Sequence, residues 1–67
     1  MKTFTLYSPH RKQYLGTEYR SRWVDWAKEA REFPSLQEAK DHIFWQDWQD
    51  STDATNPLAV YAVELIG

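Results

Sequence analysis

The stretch SLQEAKDHIFWQDWQDSTD, Ser35 to Asp53, contains a conflict of helical phase that limits what the whole chain can fold into. Its beginning is well defined. Ser35-x-x-Glu38 reads as a capping box, in which the serine hydroxyl accepts a backbone N–H of the first helical turn, and Pro34 disfavours helix at Phe33 just before it. Each helical residue turns about 100°, so Leu36, Ala39 and Ile43 share one apolar stripe. The same rotation carries Trp45 about 180° and Trp48 about 120° from Leu36, and returns Asp47 and Asp50 to within roughly 40° of it. An unpaired carboxylate in an apolar core costs more than a small fold can offset. The helix must therefore end, or leave the sheet, near Trp45. The arrangement expected is an overhanging, acid-rich helix end with Trp45 and Trp48 exposed outside the buried stripe. The alternative is that the turn-rich STDATNP, residues 51–57, folds back over the two indoles and seals them as a satellite cluster.

A chain of 67 residues reads as one domain, residues 1–67, of a size that buries only about 60% of the surface its unfolded form exposes. With no cysteine it has neither a disulfide nor a thiolate metal site, and His10 and His42 are too far apart in sequence for a ready zinc constellation. No metal and no cofactor is expected. Stability then rests on apolar burial, above all by four Trp, four Tyr and three Phe, each returning roughly 4–6 kcal/mol when its ~150–250 Å² is buried. Most of them must be core residues. The opening MKTFTLYSPH has an apolar run far shorter than the core of an export signal, and no segment approaches the ~18 apolar residues of a membrane span. The expectation is a soluble, cytoplasmic protein.

Thr3 to Tyr7 alternates Phe4 and Leu6 against Thr3, Thr5 and Tyr7, which predicts a half-buried strand. Ser8-Pro9 breaks it and KQYLG resumes an extended segment as far as Gly16, so a hairpin closes near SPHRK. Trp23, Trp26, Ala27 and Ala30 then recur at helical spacing, with Asp25, Lys28, Glu29 and Arg31 on the other faces, which predicts a short amphipathic helix. The capped helix from Ser35 follows. Leu58 to Ile66, LAVYAVELI, is a nearly continuous apolar run and predicts the most buried strand. These elements make an α+β domain of order β-β-α-α-β, with a small antiparallel sheet of about three strands in the order 2-1-3 and two helices on one face. WVDW at Trp23 echoes WQDW at Trp45, but the flanking residues do not match and four residues are too few to signal a repeat.

The net charge of -2 hides an asymmetry. Residues 1–40 hold all eight Lys and Arg against five acids, and residues 41–67 hold five acids and no base. Such a division suggests a charged partner, unless the two halves neutralise each other in the fold. Catalysis has little support: neither histidine has a partner set, no serine has a nucleophile-elbow setting, and two glycines cannot make a phosphate loop. Direct nucleic-acid binding is the stronger rival. Residues 10–23 interleave Arg11, Lys12, Arg20 and Arg22 with Tyr14, Tyr19 and Trp23, as a stacking and phosphate-binding surface would. A sequence pI of about 5.5 argues against it.

The succession of a strand, YLG, a tryptophan ahead of AREF, the capped SLQEAKDHI and the closing AVYAVELI resembles small accessory proteins encoded by phages and prophages. A W…A-x-x-F-x-S-x-x-E-A pattern recurs there in compact α+β domains. The resemblance implies stoichiometric binding to host or defence proteins, anti-CRISPR inhibitors among them, and its residues are fold residues that imply no site. WQDWQDSTD departs from the pattern in being richer in aromatic and acidic residues. The expected contact surface is therefore Trp45 and Trp48 with Asp47, Asp50 and Asp53, aromatic anchors in a charged rim, suited to a protein partner such as a basic surface of a nucleic-acid-handling protein. Tyr14, Tyr19, Arg20 and Arg22 form the second candidate surface. Exposed indoles would equally serve a homodimer.

Overall fold

The computed structural model describes residues 2–17 and 23–65. In chain order its elements are β1 (Thr3–Ser8), β2 (Gln13–Leu15), β3 (Trp23–Val24), α1 (Leu36–Trp45), β4 (Gln49–Asp50) and β5 (Ala59–Leu65). The strands form one mixed sheet in the order β3-β2-β1-β5-β4. Central β1 runs antiparallel to β2, with Tyr7 opposite Tyr14, and antiparallel to β5, from Thr3 opposite Leu65 to Tyr7 opposite Tyr61. β3 continues the sheet past β2 by pairing Leu15 with Trp23. β4 lies parallel to β5 through Gln49–Ala59 and Asp50–Val60, and α1 crosses one face over β1 and β5.

The class is α+β, but the expected order β-β-α-α-β, with about three antiparallel strands and two helices, is overturned: the described residues form one α-helix and a five-stranded mixed sheet. In place of the predicted first helix stand β3 and a single 3-10 turn, Ala27–Glu29. At the start of that turn Trp26 supplies no side-chain cap of the kind Ser35 gives α1. Trp23 and Val24 are also good strand formers, and the free edge of β2 offers them backbone partners. Beyond the turn the chain returns to the sheet. The Arg31 N–H donates to the Leu15 carbonyl at 2.8 Å, and Phe4 and Phe33 exchange both backbone hydrogen bonds at 2.9 and 2.6 Å. Residues 30–33 thus fill the gap where β1 and β2 have diverged. The most buried strand is β1 rather than β5, with Thr5, Leu6 and Ser8 at 0–1% exposure, because β1 has a neighbour along each side whereas most of β5 lacks an outer one.

Leu6, Leu15, Phe33, Ala39, Ile43 and Val60 form the core, and Phe4, Trp23, Trp48 and Ala62 pack against its margin. Trp23 lies on one edge strand and Trp48 immediately precedes the other, yet their rings are 5.4 Å apart. The sheet must curl around the core to bring its edges this close. On the face away from α1, Tyr14, Tyr7 and Tyr61 run in a row across β2, β1 and β5, meeting edge to face at 4.9 and 5.7 Å.

α1 begins where the capping box predicts, with Ser35 Oγ accepting the Glu38 N–H at 3.2 Å. Its end resolves the phase conflict. Asp47 adopts a φ of 59°, its N–H donates to the Phe44 carbonyl, and the Trp48 N–H reaches back to the Ile43 carbonyl, both at 3.1 Å. This is a Schellman closure, with aspartate in the left-handed position that glycine usually holds. The overhanging helix end is therefore corrected: the helix stops before its aspartates come round to the core, and the turn swings Trp48 inward to join Ile43. Leu36 also departs from the expected stripe and is 44% exposed. Asp47→Gly is expected to raise the unfolding free energy by about 0.5–1 kcal/mol and Asp47→Val to lower it by about 1–2 kcal/mol. Thermal melts of both variants against the wild type check the two signs.

Candidate functional site

In each W-x-D-W motif the fold sends one indole in and one out. Trp23 and Trp48 are half-buried, whereas Trp26 and Trp45 are exposed. The inner pair belongs to a continuous row of rings: Trp23 to Trp48 at 5.4 Å, Trp48 to His42 at 5.9 Å, and His42 to Phe33 at 5.3 Å. A cation stands at each end, with the Arg11 guanidinium 5.6 Å from the Trp23 ring and that of Arg31 5.1 Å from Phe33. Each such contact contributes on the order of 0.5–1 kcal/mol at a partly exposed site. This row seals the open end of the core.

His42 occupies the middle of it. Its Nε2 is buried with no hydrogen-bonding partner among the described residues. Burial first, and then the nearby positive charge of Arg31, push its pKa below the ordinary 6.5.

The outer residues have a different character. Phe44 and Trp45, at the end of α1, are 75% and 78% exposed and meet edge to face with ring centroids 6.0 Å apart. Trp45 also forms one wall of a groove of about 370 Å³, between α1 and residues 31–34, whose lining includes Glu32, Glu38 and Asp41. Among the described residues that line it, Arg31 is the only lysine or arginine, and its guanidinium is laid over Phe33. The groove is therefore acidic with an aromatic wall.

Of the expected contact residues, Trp45 and Asp47 stand together at the helix end and are exposed. Trp48 is turned inward. Asp50 is exposed but belongs to edge strand β4. Asp53 serves to shape its own turn. Its carboxylate accepts the Thr55 hydroxyl at 2.7 Å and the Thr55 N–H at 3.0 Å, which together hold its pKa below the usual value. Nor does the loop 51–57 seal the indoles. It is tied elsewhere, by His10 Nδ1 to the Ala54 carbonyl at 3.1 Å and by Asn56 Nδ2 donating to Gln49 Oε1 at 2.6 Å. Sequence reasoning missed Phe44, Glu38 and Asp41. The rotation that excluded Trp45 from the stripe would also have excluded all three.

In the second candidate surface, Tyr19, Arg20 and Arg22 lie outside the described residues. Tyr14 is half-buried in the tyrosine row, and its neighbour Arg11 is engaged with Trp23. Among the described residues the one ion pair is Lys2 with Glu64 at 3.6 Å, no three His, Asp or Glu side chains are grouped to hold a metal ion, and no helix is long and apolar enough to cross a membrane. The basic and acidic halves are thus not neutralised by a network of ion pairs among these residues. Compared with protein-family models, curated proteins and solved structures, the chain matches none.

The His42 environment makes stability depend on pH. The unfolded chain takes up the proton first, so the contribution of the neutral ring is complete above about pH 6.5 and is lost as the pH falls through the lower folded-state value. His42→Phe keeps an aromatic ring in the row and removes the titration. Its thermal midpoint should fall less than that of the wild type between about pH 7.5 and about pH 5. Equal falls would exclude His42 as the cause.

Proposed function

We propose that the chain is a cytoplasmic, non-enzymatic protein-binding module that acts stoichiometrically, blocking or modulating a partner through the Phe44–Trp45 end of α1 and the acidic groove beside it. The observation that carries this reading is the exposure of two adjacent aromatic side chains in a fold that is short of apolar residues to bury. Both rings sit on the end of a helix closed by backbone hydrogen bonds, so the backbone that presents them is already ordered before binding. Large aromatic anchors that fill a pocket on a partner dominate interface energetics.

Glu32, Glu38 and Asp41 add the chemistry of the partner, since a groove with an aromatic wall and excess negative charge favours a basic side chain entering beside Trp45. Asp47 extends that charge to the helix end. Direct nucleic-acid binding is less well supported, because Tyr14 and Arg11 are committed to internal contacts and the groove beside Trp45 carries the wrong sign for phosphate.

The test is affinity capture with the wild type and with Phe44→Ser/Trp45→Ser, the captured proteins being identified by mass spectrometry. The double variant should keep the wild-type circular dichroism and thermal midpoint and lose the partner. For Trp45→Ala alone, affinity should fall by about 2 kcal/mol or more, roughly thirtyfold in Kd. A folded double variant that retains every partner would overturn the reading, as would a tight, salt-sensitive gel shift with DNA or RNA.

A further inference from the structure

β4 is two residues long and covers only the beginning of β5. The Gln49 and Ser51 N–H groups donate to the carbonyls of Leu58 and Val60 at 2.9 and 3.3 Å, and beyond Val60 no backbone hydrogen bond reaches that side of β5 among the described residues. Register identifies the groups left over. In a strand, every second residue turns its N–H and C=O to the same side. The Val60 carbonyl faces β4, so the backbone groups of Ala62 and Glu64 point to the same, open side. Those of Tyr61, Val63 and Leu65 point to β1, where they meet Tyr7, Thr5 and Thr3. Two donors and two acceptors are left at the spacing of an extended chain, and another extended backbone is what satisfies such a row.

We infer that this open edge of β5 pairs antiparallel with the same edge of a second copy of the chain, giving a two-fold dimer with one continuous sheet. The helix layer decides in favour of a second copy. α1 lies over β1 and β5, so pairing two β5 edges sets the two copies of α1 two strand intervals apart. At about 4.7–4.9 Å per interval that is roughly 9–10 Å, within the ~8–10 Å at which helices pack.

The exposed side chain at the first turn of α1 fits the same geometry. Glu38 and His42 lie on the helix flank that faces residues 31–34, and Leu36 lies on the other flank, toward the outer edge of β5. In the dimer Leu36 meets its own copy across the axis. A single strand offered by an unlike protein would satisfy the ladder but leave Leu36 uncovered. Centring the pairing on Val63 places Ala62 opposite Glu64 of the partner subunit, so the two Glu64 carboxylates do not face each other.

Sedimentation velocity over a concentration series, with Ala62→Pro as the diagnostic variant, tests the inference. Proline at position 62 removes an N–H that points away from the sheet, a substitution edge strands accept. The wild type should pass from monomer to dimer as concentration rises. Ala62→Pro should remain monomeric with an unchanged circular dichroism spectrum, and Leu36→Lys should weaken association by at least about tenfold. A wild type that stays monomeric throughout, or a folded Ala62→Pro that dimerises as well as the wild type, overturns it. Should Ala62→Pro unfold, amide exchange on the wild type decides instead: the N–H groups of Ala62 and Glu64 should become protected as concentration rises while that of Val63 is protected throughout. Exchange at Ala62 and Glu64 that is independent of concentration overturns the inference. Trp45→Ser, on the flank facing residues 31–34, should dimerise normally, so the dimer and the partner-binding surface stand or fall separately.

Discussion

The packing of Trp48 against Trp23 closes the open end of a core that is otherwise too small. Among the described residues six make up the buried cluster, and one of them is an alanine. A domain of this size has too much surface for its volume, so half-buried rings at the margin must keep water from the aliphatic centre. Trp23 and Trp48 come from opposite edges of the sheet, and their contact holds the curl that shields Leu6, Leu15 and Val60. The arginines at both ends of the ring row extend the same protection, each laying a weakly hydrated cation over an aromatic face.

That contact depends in turn on one backbone turn. Had α1 continued past Trp45, Asp47 and Asp50 would have come round toward the core and Trp48 would have pointed away from it. The left-handed residue at Asp47 breaks the rotation after the last useful helical position. It ends the helix, reverses the chain toward β4 and delivers Trp48 to Trp23. It also leaves Phe44 and Trp45 on the last helical turn, facing solvent. The candidate binding surface and the closure of the core are thus two results of the same termination, which is why the aromatic residues of the 44–48 segment divide between them.

The sheet treats its edges unequally. β3 and β4 are two residues each, and strands so short make poor templates for unwanted pairing. β5 is longer than the strand that covers it, and its remaining half carries Glu64 as the charged residue on its face. Charge is divided in a similar way. Arg11 and Arg31 of the basic half are engaged by aromatic rings, and the acids near α1 remain solvated around the groove.

Local rules were sufficient wherever one segment carried its own constraint. The Ser35 cap, the proline before it, the first strand and the hairpin at Ser8-Pro9, and the need for α1 to stop near Trp45 all follow from residues within a few positions of one another, because capping, proline sterics and helical rotation act over that range. Trp45 as an exposed ring follows from the same rotation. What periodicity over Trp23 to Ala30 could not reveal is that an unfilled edge of β2 competes for those residues, since that partner strand lies outside the window in which the periodicity is read. The inward turn of Trp48 was equally hidden, because it needs Trp23 and His42 waiting across the sheet. The sequence by itself determined where the helix must begin and where it must fail; the expectation that most aromatics are core residues holds for Phe33 alone among the described ones, the others being half-buried at the margin or exposed. Only the tertiary structure decided which tryptophan of each pair packs against the core and which strand is central, because burial depends on what the rest of the chain brings alongside.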